Sequence, residues 1–380
     1  MRVVHFSDCH LGYRAYNRVT SQGINRREAD IFQAFRQVLK KVSELDPDLI
    51  LIAGDLFHVV RPSNLTIQQT FREFINLRER TAAPCIIIGG NHDSPRSVDT
   101  GCILDLFSNL PSFIVVHNNY EQVKLPKLDT SVFCLSHRAL PELNNLKLEP
   151  DKSSKFNLLM VHGTVEGVFK QSYDIYEIRR SDVINESWDY IAFGHYHTFT
   201  ELAPNAYYSG SIEYTSPNFW SELGNKKGFI EYNLAERKLV DFHSISTREV
   251  IDLRPIDADG RTVGEIDQMI KQRVESISGG YEDKIIRLIV LNLNRSVQKD
   301  LDFKTIREYR TAMLHFDLQL KPPQTSKHNT ENGAVIETKS LEEEWDSFVK
   351  DIEIPVDINR EEFRLKGREY LSAQSRYDGE

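Results

Sequence analysis

Short apolar runs recur along the first half of the chain, at residues 3–6, 49–53, 85–88, 158–161 and 190–193. Each is four or five residues long, rich in Val, Ile, Leu or Phe, and closely followed by Gly, Asp, Asn or His, so each predicts a buried strand ending in a polar loop. Between them the period changes to that of a helix. Ile31, Phe35, Val38 and Val42 share one face of residues 28–45, and Ile67, Phe71, Phe74 and Leu77 share one face of residues 66–80. Strands alternating with helices predict an α/β core with helices on the sheet faces. Short strands separated by turn residues follow at 206–245.

A second unit starts near residue 251. Val263, Ile266, Ile270, Val274 and Ile277 predict a helix, 284–294 a strand, 301–312 a helix and 313–320 a strand, a small α/β module of about 70 residues. The polar, proline-broken stretch at 321–339 reads as a linker. Residues 340–380 resume order around an apolar stripe of Leu341, Trp345, Phe348 and Val349. From Lys321 onward nine Lys and Arg stand against fourteen Asp and Glu, a net of −5. An acidic amphipathic tail suits a protein partner, or packing back on its own domain, better than DNA.

Composition narrows the picture. With 380 residues, 40% of them hydrophobic, the chain can bury two or three domain cores. A net charge of −9 excludes a global positive field for nucleic acid, so any DNA contact needs a local basic patch. Cys9, Cys85, Cys102 and Cys134 form no CxxC pair and read as reduced core thiols. MRVVHFSD is a strand start without the features of a signal peptide, and no stretch reaches transmembrane length. A soluble, cytoplasmic protein is expected.

The chemistry lies just past the apolar runs. Asp8 and His10 stand in SDCH, Asp55 in GDLFH, Asn91 in GGNHD, His162 in VHG, and His195 and His197 in GHYH. Each cluster alone is weak. Together, at strand ends that border a crevice in α/β sheets, they predict one metal site. Carboxylate, amide and imidazole donors in this number can hold two divalent ions, with Asp55 the candidate bridge, and paired ions serve attack of water on a phosphate ester. No thiolate is in the set, and N and O donors suit manganese, iron or zinc without choosing among them. Binding needs neutral imidazoles, so activity should fall in acid. His92, next to Asn91, should point elsewhere and act on the leaving oxygen, with His58 reaching the same pocket. Asp93 reads either as an acceptor for the second ring N–H of His92 or as a helix N-cap. His5 reads as a packed strand residue, while His117, His137, His243, His315 and His328 carry no spacing signal.

These segments, with RREADIFQAF and GSIEYTSPNFWSELGNKKGF, resemble the calcineurin-like metallophosphoesterases, and more narrowly the SbcD-type nuclease subunits of DNA double-strand-break repair complexes. The resemblance covers residues 1–240 by motif and 251–320 by size and position. It implies a four-layer α/β sandwich of two sheets (1–250), a small capping domain that helps bind DNA (251–320), a linker (321–339) and a helical tail (340–380) that binds an SMC-like coiled-coil ATPase of the SbcC type. It implies two Mn2+ ions, one on Asp8, His10, Asp55 and His197 and the other on Asp55, Asn91, His162 and His195. It gives His92 and His58 catalytic roles, and it implies a homodimer through helices for which 66–80 and 99–110 are candidates. Gly163 departs from the Gln found at that position in some relatives. Arg14, Arg18, Arg61 and Arg96, with Arg26, Arg27, Tyr13 and Tyr16, are candidates for gripping the DNA backbone. The leading expectation is therefore a Mn2+-dependent exonuclease and endonuclease acting on DNA ends and single strands. A small-substrate phosphoesterase and a largely non-catalytic scaffold for the ATPase are the alternatives.

Overall fold

The computed structural model describes residues 1–95, 100–168, 176–323, 345–346, 348–350, 352 and 359–377. They belong to two compact units, Met1–Pro322 and Pro323–Glu380.

The first unit opens with β1 (Arg2–Phe6), α1 (Arg26–Leu45), β2 (Leu49–Ile52), α2 (Asn64–Arg80), β3 (Cys85–Ile88) and β4 (Phe113–Val116). The four strands run parallel in the order of the chain. β2 and β3 are buried on both faces, which is why they read as unbroken apolar runs. Asn25 caps α1 by accepting from the Arg27 and Glu28 amides, and Ser63 caps α2 through the Thr66 amide. The face of α1 bearing Ile31, Phe35, Val38 and Val42 packs with Phe74 and Leu77 of α2 onto Val4, Phe6, Ile50 and Ile52.

The chain then builds a second sheet from β5 (Tyr120–Leu125), β6 (Thr130–Leu135) and β7 (Phe156–His162). After the small β8 (Thr164–Val165) and β9 (Glu177–Ile178) pair and one turn, α3 (Arg180–Val183), it adds β10 (Tyr190–Gly194), β11 (Thr200–Ala203) and β12 (Ala206–Tyr208). The order across this sheet is β11-β12-β10-β7-β6-β5. β13 (Gly228–Asn233) and β14 (Lys238–Ser244) return to the first sheet, β13 lying antiparallel beside β1. The inner faces of the two sheets meet through Val3, Leu51, Ile86, Val132, Met160 and Ala192. His5 is sealed between them, its Nδ1 2.9 Å from the Tyr190 hydroxyl, and burial pushes its pKa down to about 3. The outer face of the second sheet is covered by Trp188, Leu140 and Val183, on loops, 3₁₀ turns and α3. The arrangement is the expected α/β sandwich of two sheets, with a thinner outer layer on this side.

Residues 250–320 form a separate sheet. β17 (Ile285–Leu291) pairs in parallel with β15 (Val250–Asp252), β16 (Ile256–Asp257) and β18 (His315–Leu320). α4 (Val263–Glu275), the single turn α5 (Arg295–Gln298) and α6 (Phe303–Ala312) complete the module. A capping box of Thr262 and Glu265 starts α4 where the apolar period begins.

In the second unit α7 (Arg360–Tyr377) meets the turn carrying Trp345. Trp345 donates Nε1–H to the Arg364 carbonyl at 2.9 Å and packs on Phe363. Gly367 makes room for it, since a Cβ there would lie 2.2 Å from the indole. Val349 is buried, while Phe348 and Leu365 are exposed. Leu341 and most of the expected linker lie outside the described residues. Among the described residues no helix is long and apolar enough to cross a membrane. All four cysteines are free and buried.

Candidate metal centre

All seven candidate ligands lie at or just beyond the C-terminal ends of five strands, three in the first sheet (β1, β2, β3) and two in the second (β7, β10). Four take positive φ: Asp8 (51°), His10 (46°), Asp55 (50°) and His195 (101°). Such a backbone is uncommon outside glycine and has to be held by its surroundings. Here the loops after β1 and β2 are tied by backbone bonds: Asp8 N to Gly54 O (3.1 Å), His10 N to Asp55 O (3.0 Å) and Leu11 N to Leu56 O (2.9 Å).

Asp55 sits at the centre. Its Oδ2 lies 3.4 Å from His162 Nε2 and 3.8 Å from His10 Nε2, and its Oδ1 accepts the His92 amide at 2.8 Å. Asn91 Oδ1 is 3.0 Å from His162 Nε2 and 3.1 Å from His195 Nδ1. On the other side His10 Nε2 and His197 Nε2 are 3.0 Å apart, and His197 Nε2 is 3.9 Å from Asp8 Oδ1. Asp8 accepts from the His195 amide and from Ser7 Oγ. Asp8, His10 and His197 form one tight cluster of donor atoms; Asp55, His162 and His195 form another.

His162 Nδ1 donates to the Ala53 carbonyl at 2.8 Å, which turns Nε2 toward Asp55. Tyr208 pins the backbone beyond it, donating to the Gly163 carbonyl at 2.7 Å and accepting from the Val165 amide at 2.9 Å.

Burial drives the electrostatics. It pushes the His10 imidazole down to about 3, against the pull of Asp55, and holds His197 well below its usual value. It also raises the Asp8 carboxyl, with the Asp55 charge adding to it and His162 opposing. At Asp55 burial is outweighed by His162, so its carboxyl is lowered. His162 is correspondingly raised to about 10, because the Asp55 charge and hydrogen bond overcome burial. Metal binding asks for neutral imidazoles, and His162 Nε2 stands 3.4 Å from the Asp55 carboxylate, so a cation entering there displaces a proton.

His92 Nδ1 donates to the His58 carbonyl at 2.9 Å, leaving Nε2 as the open ring nitrogen, and its ring lies 4.7 Å from that of His10. His58 does reach the pocket, with its Nδ1 3.4 Å from His10 Nδ1. Among the described residues, Asp93 bonds elsewhere than to His92. Its two oxygens accept the Leu56 and Gly90 amides, each at 2.8 Å, and so clamp the loops after β2 and β3 together. His137, given no role from sequence, enters the site from the end of β6, its ring 6.1 Å from His162 and 6.3 Å from His195. Nothing in the spelling SHRAL marks it.

The loop arginines find partners inside the protein. Arg14 Nε donates to Glu28 at 2.7 Å. Arg18 donates to the Arg310 and Thr311 carbonyls at 2.5 and 3.0 Å, and Arg26 pairs with Asp283. Arg27 is buried against Asp30 and Glu213. With Tyr16 stacked 4.0 Å from His315 and Arg287 over Trp220 at 4.6 Å, this loop fastens the 250–320 module to the rest of its unit. Arg61 is exposed; Arg96 lies outside the described residues. Of the two candidate dimer segments, 66–80 falls in α2 and 103–109 is a 3₁₀ helix with Leu104 and Phe107 buried.

The donor set fits divalent cations. Two buried carboxylates, an amide oxygen and four imidazoles converge, and pairs of ring nitrogens face each other or a carbonyl oxygen at about 3 Å.

Comparison with known proteins gives the same picture. The sequence profile of calcineurin-like phosphoesterases matches residues 1–199. The DNA double-strand break repair protein Mre11 of Methanocaldococcus jannaschii is 29% identical over 70% of this chain and 69% of its own. The protein of the same name from Methanococcus maripaludis is 27% identical over 94% of this chain and 93% of its own. A solved calcineurin-like phosphoesterase, YfkN from Bacillus subtilis, aligns at 12% identity over 53% of this chain and 74% of its own, with a TM-score of 0.29.

Proposed function

The chain belongs to the calcineurin-like phosphoesterase family and is a metal-dependent phosphoesterase, and from that premise we propose that it is a Mn2+-dependent DNA nuclease. In this reading it hydrolyses phosphodiester bonds at DNA ends and in single strands, as the nuclease subunit of a repair assembly with a coiled-coil ATPase of the SbcC type. Support for DNA as substrate comes from relatives named for double-strand break repair that match most of the chain. Support for the chemistry comes from one observation above all. A single carboxylate, Asp55, stands within 3.4 Å of His162 and 3.8 Å of His10, between two groups of donors.

Asp8, His10, Asp55 and His197 would hold one ion, and Asp55, Asn91, His162 and His195 the other. Two such ions would activate water and offset charge on the phosphate. The protein's own acid is His92. The His58 carbonyl anchors its Nδ1, so the protonated ring can pass its Nε2 proton to the leaving oxygen while keeping its orientation. Exposed Leu65 and Ile75 on α2 are apolar positions that a homodimer contact would cover, and the exposed Phe348 and Leu365 of the tail suit the ATPase.

The small-substrate alternative gains from Arg18, Arg26 and Arg27 being engaged internally rather than opening onto the cleft. Turnover of a single-stranded oligonucleotide and of a cyclic nucleotide, each with Mn2+, decides between them. Faster hydrolysis of the oligonucleotide is expected; preference for the cyclic nucleotide would sink the nuclease reading.

A further inference from the structure

The stretch after the last histidine pair buries two opposite charges, Glu222 (5% exposed) and Lys227 (3% exposed). Lys227 Nζ donates to Glu222 Oε2 at 2.5 Å, to Ser211 Oγ at 2.8 Å and to the carbonyl of His197 at 2.7 Å. Its three ammonium protons are thereby all engaged. The other oxygen of Glu222 accepts from Ser216 Oγ and lies 3.9 Å from Nδ1 of His197. Thr215 Oγ1 stands 3.5 Å from the same nitrogen. The ammonium therefore holds the backbone of His197, while the carboxylate faces the outer side of its ring. Nε2 of His197 points the other way, to within 3.0 Å of His10 Nε2 and 3.9 Å of Asp8 Oδ1.

Stability alone does not account for such a pair. A buried ion pair adds little over apolar residues of similar volume, because desolvation offsets the attraction. What it supplies here is direction. An imidazole that donates one ring N–H to a fixed carboxylate must present the other nitrogen as a lone pair.

We propose that Glu222 and Lys227 are positioning residues for His197. Glu222, 3.9 Å from Nδ1, and Thr215 Oγ1, at 3.5 Å, put acceptors on that side of the ring, and Lys227 fixes the carbonyl, so that Nε2 offers its lone pair to the Asp8–His10 pocket. The inference rests on the metal-centre reading above and extends it to residues that no strand-end motif contains.

Two variants separate positioning from bulk stability. Glu222→Gln leaves Lys227 without its charge partner and offers one oxygen where the carboxylate has two; with Lys227 taking that oxygen, the amide NH2 turns toward Nδ1. The metal-free protein should melt lower, and the calorimetric affinity of one Mn2+ site should fall as well. Glu222→Leu combined with Lys227→Met removes both charges and both grips. Its metal-free melting should stay near wild type, while the affinity of one Mn2+ site falls about 10- to 100-fold and the other holds. A double variant binding both ions like wild type would overturn the proposal. So would a Glu222→Gln variant that melts lower yet binds both ions like wild type. The wild-type titration reads the premise separately: absence of Mn2+ binding there fells the metal-centre reading itself. If the double variant does not fold, the 15N spectrum of the Zn2+-loaded wild type decides. The His197 Nδ1 resonance, assigned with His197→Gln, should be that of a protonated nitrogen, and an unprotonated Nδ1 refutes the arrangement.

Discussion

Gly194 ends β10 directly against the end of β2, and this contact allows a sharp test. A Cβ on Gly194 would stand 1.8 Å from the Ala53 carbonyl oxygen and 2.8 Å from His162 Nδ1. Side-chain carbons keep at least 3.0 Å, so Gly194→Ala must drive the two strand ends apart by 1.2 Å or more. The obstacle is backbone in a buried strand, and no flexible side chain can yield. Overpacking of this kind costs about 1–3 kcal/mol. The Ala53 oxygen is also the acceptor that fixes His162 through a 2.8 Å bond. Losing that bond inside the protein adds about 1–3 kcal/mol. The sum, about 2–6 kcal/mol, corresponds to a fall in melting temperature of roughly 5–20 °C for a domain of this size. Melting in the presence of a chelator measures the first effect, and Mn2+ titration calorimetry measures the freed His162 ring as weaker binding. Gly264→Ala, where a Cβ meets nothing within 4 Å, is the control. A Gly194→Ala protein that melts within about 2 °C of wild type and binds Mn2+ unchanged would refute the claim that the close approach of the sheets sets His162.

His92→Leu should keep both Mn2+ ions, because the ring makes no contact to them in this reading, and should lower nuclease turnover about 10²- to 10⁴-fold; unchanged turnover would remove it as the acid. Below the usual imidazole range the metal-free protein should lose stability. His5 and His10 are depressed to about 3, so their contribution is fully present above 6.5 and lost as pH falls toward 3. His162 acts in the opposite sense, its contribution present below 6.5 and lost as pH rises through about 10. Melting of the chelated protein should therefore pass through a maximum near neutrality, and a melting temperature that climbs steadily into acid contradicts this. Arg61→Ala should reduce the log–log salt slope of DNA binding by about 1, and Arg18→Ala should leave it unchanged, as read by anisotropy over a salt series; the reverse order would return Arg18 to the DNA interface.

Much of this architecture was legible in the chain. The apolar runs at β1, β2, β3, β7 and β10 show where strands end, and the clustering of Asp, Asn and His after them shows what gathers at those ends. Less visible were relations set by backbone geometry. Asp93 looks from sequence like a partner for His92, yet its carboxylate goes to two main-chain amides, one of them 37 residues away. No spacing rule reports main-chain donors in a neighbouring loop. The arginines after His10 read as a phosphate grip because local charge cannot reveal that a carbonyl 292 residues later will claim Arg18. His137 was missed because the step after its strand, β6, reads SHRAL, with no second Asp, Asn or His to mark it. The positive φ of Asp8 and Asp55 is likewise imposed by the mutual bonding of their loops rather than by residue type.

The pairing of Arg2 with Asn233 joins residues roughly 230 positions apart. A ribosome must therefore release most of this polypeptide before its opening strand finds its outer neighbour. GHYH, too, emerges long after SDCH has left the exit tunnel. Long-range closure of this kind is slow, since much loop entropy is lost before native contacts repay it. An unfinished chain carries the early donors as scattered, unaligned groups. The two halves of the metal centre can therefore meet only after residues 195–197 have been made and the second sheet has closed on the first.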